Sequence, residues 1–140
     1  MGRSTKQRTA ILDAIQRAQR PLTPQEILDA ARNEVSALGI ATVYRNLKLL
    51  LEENSLKRVD LPGEAPRYES ASHGHAHHHH HFFCTQCERA FDIFGCSGDF
   101  SAMAPSGFKV HDHEITLYGF CTDCGSNQKT YKTNHKEADK

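Results

Sequence analysis

His77-His78-His79-His80-His81-Phe82-Phe83-Cys84-Thr85-Gln86-Cys87 joins a histidine run to a C-x-x-C pair through two phenylalanines. A second pair, Cys121/Cys124, follows after 33 intervening residues. Two short turns that each offer two sulfurs match a closed, tetrahedral, structural zinc site. Phe82-Phe83 predicts an extended segment over Ala76–Cys84, in which alternate side chains face opposite ways. His77, His79 and His81 then share one face, and His78 and His80 share the other, so one run can serve two metal sites. The tract His73-Gly74-His75 upstream reads equally well as a loosely buffering, solvated segment. Cys96 is the odd thiol; a small buried residue is the simplest reading, with a redox or ligand role open.

The composition limits what surrounds this stretch. With 38% hydrophobic and 8% aromatic residues in 140, the chain buries a modest core, the regime in which a metal or oligomerisation assists folding. No apolar run reaches the roughly 18 residues of a membrane helix, and the basic start lacks a signal peptide's apolar stretch. A cytoplasmic protein with no membrane partner is expected, where paired C-x-x-C units bind metal more often than they form disulfides. Net charge is zero, but Arg3, Lys6, Arg8, Arg17 and Arg20 cluster near the start. Such a cluster suits phosphates, and it also suits a solvated helix face.

Ahead of the histidines the periodicity is helical. Ala10, Ile11, Ala14, Ile15 and Ala18 mark a first helix over Ser4–Ala18. Thr23, Pro24 and Glu26 spell a capping box at the start of a second, with Ile27, Leu28 and Ala31 as its core face. Gly39 interrupts the chain, and Thr42 opens a third helix with Val43, Leu47, Leu50 and Leu51 as its stripe. Leu56–Asp60 and Arg67–Glu69 read as two short strands around Leu61–Pro66. Three helices and a hairpin are the order of a winged helix-turn-helix, whose third helix enters the major groove. Thr42, Tyr44, Arg45 and Lys48 are the polar residues left outside the stripe and the candidate contacts to double-stranded DNA. A generic three-helix bundle has the same pattern.

Ala41-Thr42-Val43-Tyr44-Arg45-Asn46-Leu47 resembles the recognition-helix signature of the ferric uptake regulator family of metal-dependent repressors. The histidine run and both cysteine pairs follow in that family's order and approximate spacing, so the resemblance spans roughly residues 5–125. It implies an α+β chain: a winged-helix domain over 1–70, a His-rich hinge over 71–80, and an α/β dimerisation and metal-binding domain over 81–140. It also implies a homodimer whose affinity for an A/T-rich palindromic operator rises with regulatory metal. Cys84, Cys87, Cys121 and Cys124 would hold structural zinc. Glu69, His79, His81 and Asp92 would hold the regulatory ion between domains, and His78, His80, Asp99 and His113 a second one. Strands around Phe91 and Leu117 are expected to pair across the two-fold axis.

Two departures stand out. Relatives often carry a histidine just before the second helix, where this chain has Arg20-Pro21; Asp60, His73, His75 or His77 could substitute. The leading N-terminal helix of many relatives is expected to be absent. The histidine density favours a zinc-uptake regulator, with iron(II) next, then an iron-bound peroxide sensor; manganese and nickel also suit such ligands. A zinc-buffering metallochaperone would use the same ligands without a recognition helix. No H-E-x-x-H or H-x-x-E-H spacing occurs, so neither catalysis nor a small organic substrate is expected.

Overall fold

A computed structural model describes residues 2–71, 79–96 and 98–125. Helix α1 runs Arg3–Ala18 and ends at Gln19, whose φ of 50° is left-handed. The turn through Pro21 leads into α2, Pro24–Ala31, closed by the full capping box: Thr23 Oγ1 accepts from the Glu26 amide, and the Glu26 carboxylate accepts from the Thr23 amide. Helix α3, Ile40–Glu52, begins two residues before the position expected from Thr42, on an extended Gly39 cap. Ile11, Ile15, Ile27, Val43, Leu47 and Leu50 interlock as one core beneath the three helices.

Strands β1, Leu56–Val59, and β2, Arg67–Ser70, pair antiparallel. Leu22, in the turn before α2, exchanges both backbone hydrogen bonds with Tyr68. The hairpin is thereby fastened to the helices as a wing. All four residues of β2 are buried, including the charged Arg67 and Glu69, because the second half of the chain packs on its outer side.

That second half is built on β3, His80–Cys84, flanked by antiparallel β4, Ala90–Ile93, and parallel β5, Thr116–Gly119. Phe82 stands opposite Phe91 on one side and Leu117 on the other, so the strands bearing these two residues are the sheet's edges. The expected α/β character is thin among the described residues: a 3-10 turn at Ser101–Met103 and a four-residue helix α4, Thr122–Gly125. Strand β3 is also shorter than the predicted Ala76–Cys84, and residues 72–78, with His73, His75, His77 and His78, lie outside the described segment.

Apolar and polar contacts fasten the halves together. Val59 and Leu61 of the wing share a buried cluster with Phe83 and Ala90 of the sheet. Arg67, only 3% exposed, donates from Nη2 to the Glu88 carbonyl at 2.9 Å and lies over the Phe83 ring at 5.4 Å. Its Nη1 is 3.6 Å from Glu26, which also takes Arg20 at 2.7 Å. A single carboxylate thus caps α2 and holds two guanidiniums. Removing the cap by Thr23→Ala should lower stability by about 1 kcal/mol, read as a shifted urea midpoint at unchanged slope.

Candidate metal centre

Among the described residues, three groups of metal-ligating side chains converge, each with one ligand atom per residue and all atoms of a group within 4.8 Å of one another. The first is Cys84, Cys87, Cys121 and Cys124. Cys84 closes β3 and is fully buried, and the chain reverses through Glu88, whose φ is 60°. The second pair sits at the start of α4, where the Cys124 and Gly125 amides both donate to the Cys121 carbonyl. Sulfurs around a tetrahedral zinc at about 2.3 Å stand about 3.8 Å apart. Cys87 and Cys121 Sγ atoms are 3.8 Å apart.

Electrostatics favours an ion here. Burial opposes ionisation of Cys84, but the amides of Cys87, Cys121 and Gln86 outweigh it and bring the thiol down to about 6. Burial and the neighbouring thiols instead push Cys124 up to about 12. Four thiols this close cannot all ionise unaided, whereas a dication would stabilise all four thiolates. The residues fit structural zinc.

The second group is Glu69, His79, His81 and Asp92. Glu69 comes from the wing strand β2, Asp92 from β4, His81 from β3 and His79 from the residue just before it. His79 Nε2 lies 2.9 Å from Glu69 Oε1 and 3.3 Å from Asp92 Oδ1, and His81 Nε2 lies 3.4 Å from the same Asp92 oxygen. Glu69 is 2% exposed, and its Oε2 is buried without a hydrogen bond. Burial, reinforced by the Asp92 carboxylate, pushes the Glu69 carboxyl up to about 8. Burial also works against Asp92, but polar contacts from His81 and Glu69 and the charge of the imidazoles hold it below the usual range. Burial and mutual repulsion thus oppose simultaneous ionisation of the two carboxylates, a cost that a divalent cation between them would remove. Two oxygens and two imidazole nitrogens fit such an ion.

The third group differs from the expected one. His80, on the opposite face of β3, and His113 converge on Cys96 rather than on Asp99. Gly95 and Gly98 have φ of 89° and 96°, conformations open to glycine, and they curl the loop so that Cys96 faces the imidazoles. Asp99 is exposed, and its Oδ1 accepts from the Ser101 amide at 2.8 Å at the start of the 3-10 turn. His78 lies outside the described residues. Asp60 also stands apart from the three groups, accepting from Arg58 Nε at 2.9 Å.

On α3, Tyr44, Arg45 and Lys48 are exposed and Thr42 is half-buried. Arg45 Nη2 donates to Thr42 Oγ1 at 2.9 Å, so the two present one surface. The N-terminal basic cluster is less available than its charge suggests: Arg8 binds Glu53, Arg20 binds Glu26, and Arg17 approaches Glu34 at 3.9 Å. The sequence reading placed Glu26 in the capping box but missed its ion pairs to Arg20 and Arg67, and it missed the burial of Arg67. Arg67-Tyr68-Glu69 alternates like a half-exposed strand, so no sequence signal marks Arg67, although all four residues of β2 are buried.

Three helices and a wing joined to a sheet by metal-ligand clusters are the arrangement of a metal-responsive transcriptional regulator. The comparisons with known proteins give that class a name: residues 2–118 match the model of the ferric uptake regulator family, and the chain belongs to it. It is 28% identical over 129 residues to the peroxide operon regulator of Bacillus subtilis, covering 90% of this chain and 86% of that one. A peroxide-responsive repressor of Staphylococcus saprophyticus is 28% identical over 125 residues, covering 87% and 82%. Among solved structures, a zinc-bound manganese uptake regulator shares the fold with a TM-score of 0.68 at 23% identity, over 82% of this chain and 87% of that one. The Helicobacter pylori ferric uptake regulator, described as having three functional metal-binding sites, has a TM-score of 0.60 at 24% identity, over 86% and 80%. These relatives are regulators, not enzymes. Among the described residues, no helix is long and apolar enough to cross a membrane.

Two outcomes are expected. Without metal, the raised Glu69 carboxyl contributes stability fully present below about 4.5 and lost as pH rises through about 8. Cation affinity should therefore climb across the same window with proton release, measurable by calorimetry in two buffers of different ionisation heat; pH-independent binding would contradict it. Cys84→Ser should lose the structural ion and the ordered β3–β5 sheet together, seen as reduced zinc content and a collapsed near-ultraviolet dichroism signal.

Proposed function

We propose that this chain is a homodimeric, metal-activated transcriptional repressor that binds an A/T-rich palindromic operator, acts in the cytoplasm and controls metal-uptake genes. The observation that carries the reading is the group Glu69, His79, His81 and Asp92, because it draws its ligands from both halves of the molecule. The ion would neutralise two carboxylates and fix two imidazoles; the chain does the rest. Glu69 lies on the wing strand, which Leu22 ties to the turn before α2. Closing the group therefore orients the wing and α3 relative to the sheet. Cys84, Cys87, Cys121 and Cys124 would hold zinc permanently and keep the β3 register.

The second copy would sit on the sheet's edge. Leu117 and Tyr118 of β5 are 50% and 55% exposed, and Phe94, Met103 and Phe108 elsewhere in the same half are also exposed. Large apolar side chains gathered in one half favour burial against a like surface. In the dimer, the two α3 helices would enter successive major grooves about 34–36 Å apart. Arg45 and Lys48 would meet phosphates or guanine edges, and Thr42 and Tyr44 the neighbouring backbone or thymine methyls.

Zinc is the regulatory ion we favour, since two imidazoles and two carboxylates complete a four-ligand set for it. Iron(II) is the second reading. It is favoured by the oxygen content of the group.

Arg45→Ala should weaken operator binding by about 1–3 kcal/mol in a gel-shift titration while leaving metal content unchanged. His79→Ala combined with His81→Ala should abolish the metal dependence of that binding and preserve the dimer. Metal uptake with no salt-sensitive operator affinity would instead indicate a metal-buffering protein.

A further inference from the structure

We propose that His80, Cys96 and His113 form a sulfur-containing cation centre, distinct from the hinge group and selective for zinc-like, borderline-soft dications. The ligand that gives the centre its character is Cys96, in the place where a carboxylate was expected.

Three observations converge. Cys96 Sγ lies 3.1 Å from His113 Nε2 and 3.4 Å from His80 Nε2, so three donor atoms already face a common point. The Gly98 amide donates to the same sulfur at 3.4 Å, an arrangement that stabilises a thiolate ligand from outside the coordination shell. The imidazoles are themselves positioned: His80 is 5% exposed in β3, and the His113 ring lies 4.5 Å from that of Phe100.

The alternation of β3 puts this centre and the hinge centre on opposite faces of one strand, with different ligand chemistry. The hinge offers oxygens and nitrogens, which accept iron(II), manganese or zinc. The Cys96 centre offers one sulfur and two nitrogens, which suit zinc or cobalt and disfavour manganese. Three protein ligands leave a fourth position for water, so the ion is exchangeable, unlike one enclosed by four cysteines. Binding also has a local signature. The Ile115 amide donates to His80 Nδ1 at 3.3 Å. An ion on Nε2 moves the ring proton to Nδ1, where it opposes that amide. The long Ile115 contact must then open, and the Ile115 amide resonance must shift.

The test uses full-length protein with zinc already in the four-cysteine site, titrated with cobalt(II). A sulfur-to-cobalt charge-transfer band should grow with one added equivalent, and the Ile115 amide should shift with it. Cys96→Ser should lose the band and weaken that equivalent by more than about tenfold. Cys96→Asp should retain the equivalent but show no band, and Asp99→Asn should behave like the unaltered protein. A band that survives Cys96→Ser, or that disappears in Asp99→Asn, would overturn the assignment. Glu69→Gln separates this centre from the hinge: it should leave the band intact even where operator binding is lost, so failure of either reading is seen apart from the other.

Discussion

Glu69 and Asp92 are buried carboxylates brought within 4.8 Å of each other and of two imidazoles, and much of the molecule exists to hold them there. Two like charges in a low-dielectric site cannot both ionise unaided, so one of them keeps a proton well above the ordinary carboxyl range. The site is thereby poised: it is compact when a proton or a cation neutralises the pair, and repulsive otherwise. Because Glu69 belongs to the wing and Asp92 to the sheet, that local balance acts across the joint between the two halves. Any ion that binds here changes their relation only through its preference for the closed arrangement.

The joint does not depend on the ion alone. Arg67 crosses it as a buried guanidinium, reaching from the wing to the carbonyl of Glu88 in the first cysteine turn. Val59 and Leu61 cross it as apolar contacts to Phe83 and Ala90. The four-cysteine group lies beside this joint: its first turn carries the carbonyl that Arg67 uses, and it closes the strand that carries His81 opposite Asp92. The two groups differ in ligand chemistry and are continuous in space.

Much of this was legible in the amino-acid order. The two C-x-x-C pairs announce their group because sulfur ligation needs short turns of fixed length. Strand alternation puts His79 and His81 on one face, while Asp92 was expected from the family resemblance; the pairing of β3 with β4 then sets Asp92 opposite His81. The capping box at Thr23 and Glu26 is local and was read from three residues. What escaped was not periodic. Cys96 reaches the imidazoles through two left-handed glycines, and loop curvature of that kind has no repeat to reveal whether Cys96 or Asp99 turns inward. Arg67 is a basic residue in a strand, and only the second half of the chain explains its burial. Arg8 and Arg20 looked like phosphate contacts because their carboxylate partners lie 45 and 6 residues away.

Coupling between sites is reciprocal: if the hinge ion strengthens operator binding by some factor, the operator must strengthen ion binding by the same factor. The direct measurement is the affinity of the regulatory ion for the zinc-loaded protein, with and without saturating operator. The account predicts tighter binding with operator present, by the factor found for operator affinity with and without the ion, and loss of that difference in Glu69→Gln. Equal ion affinities in the two conditions would contradict it.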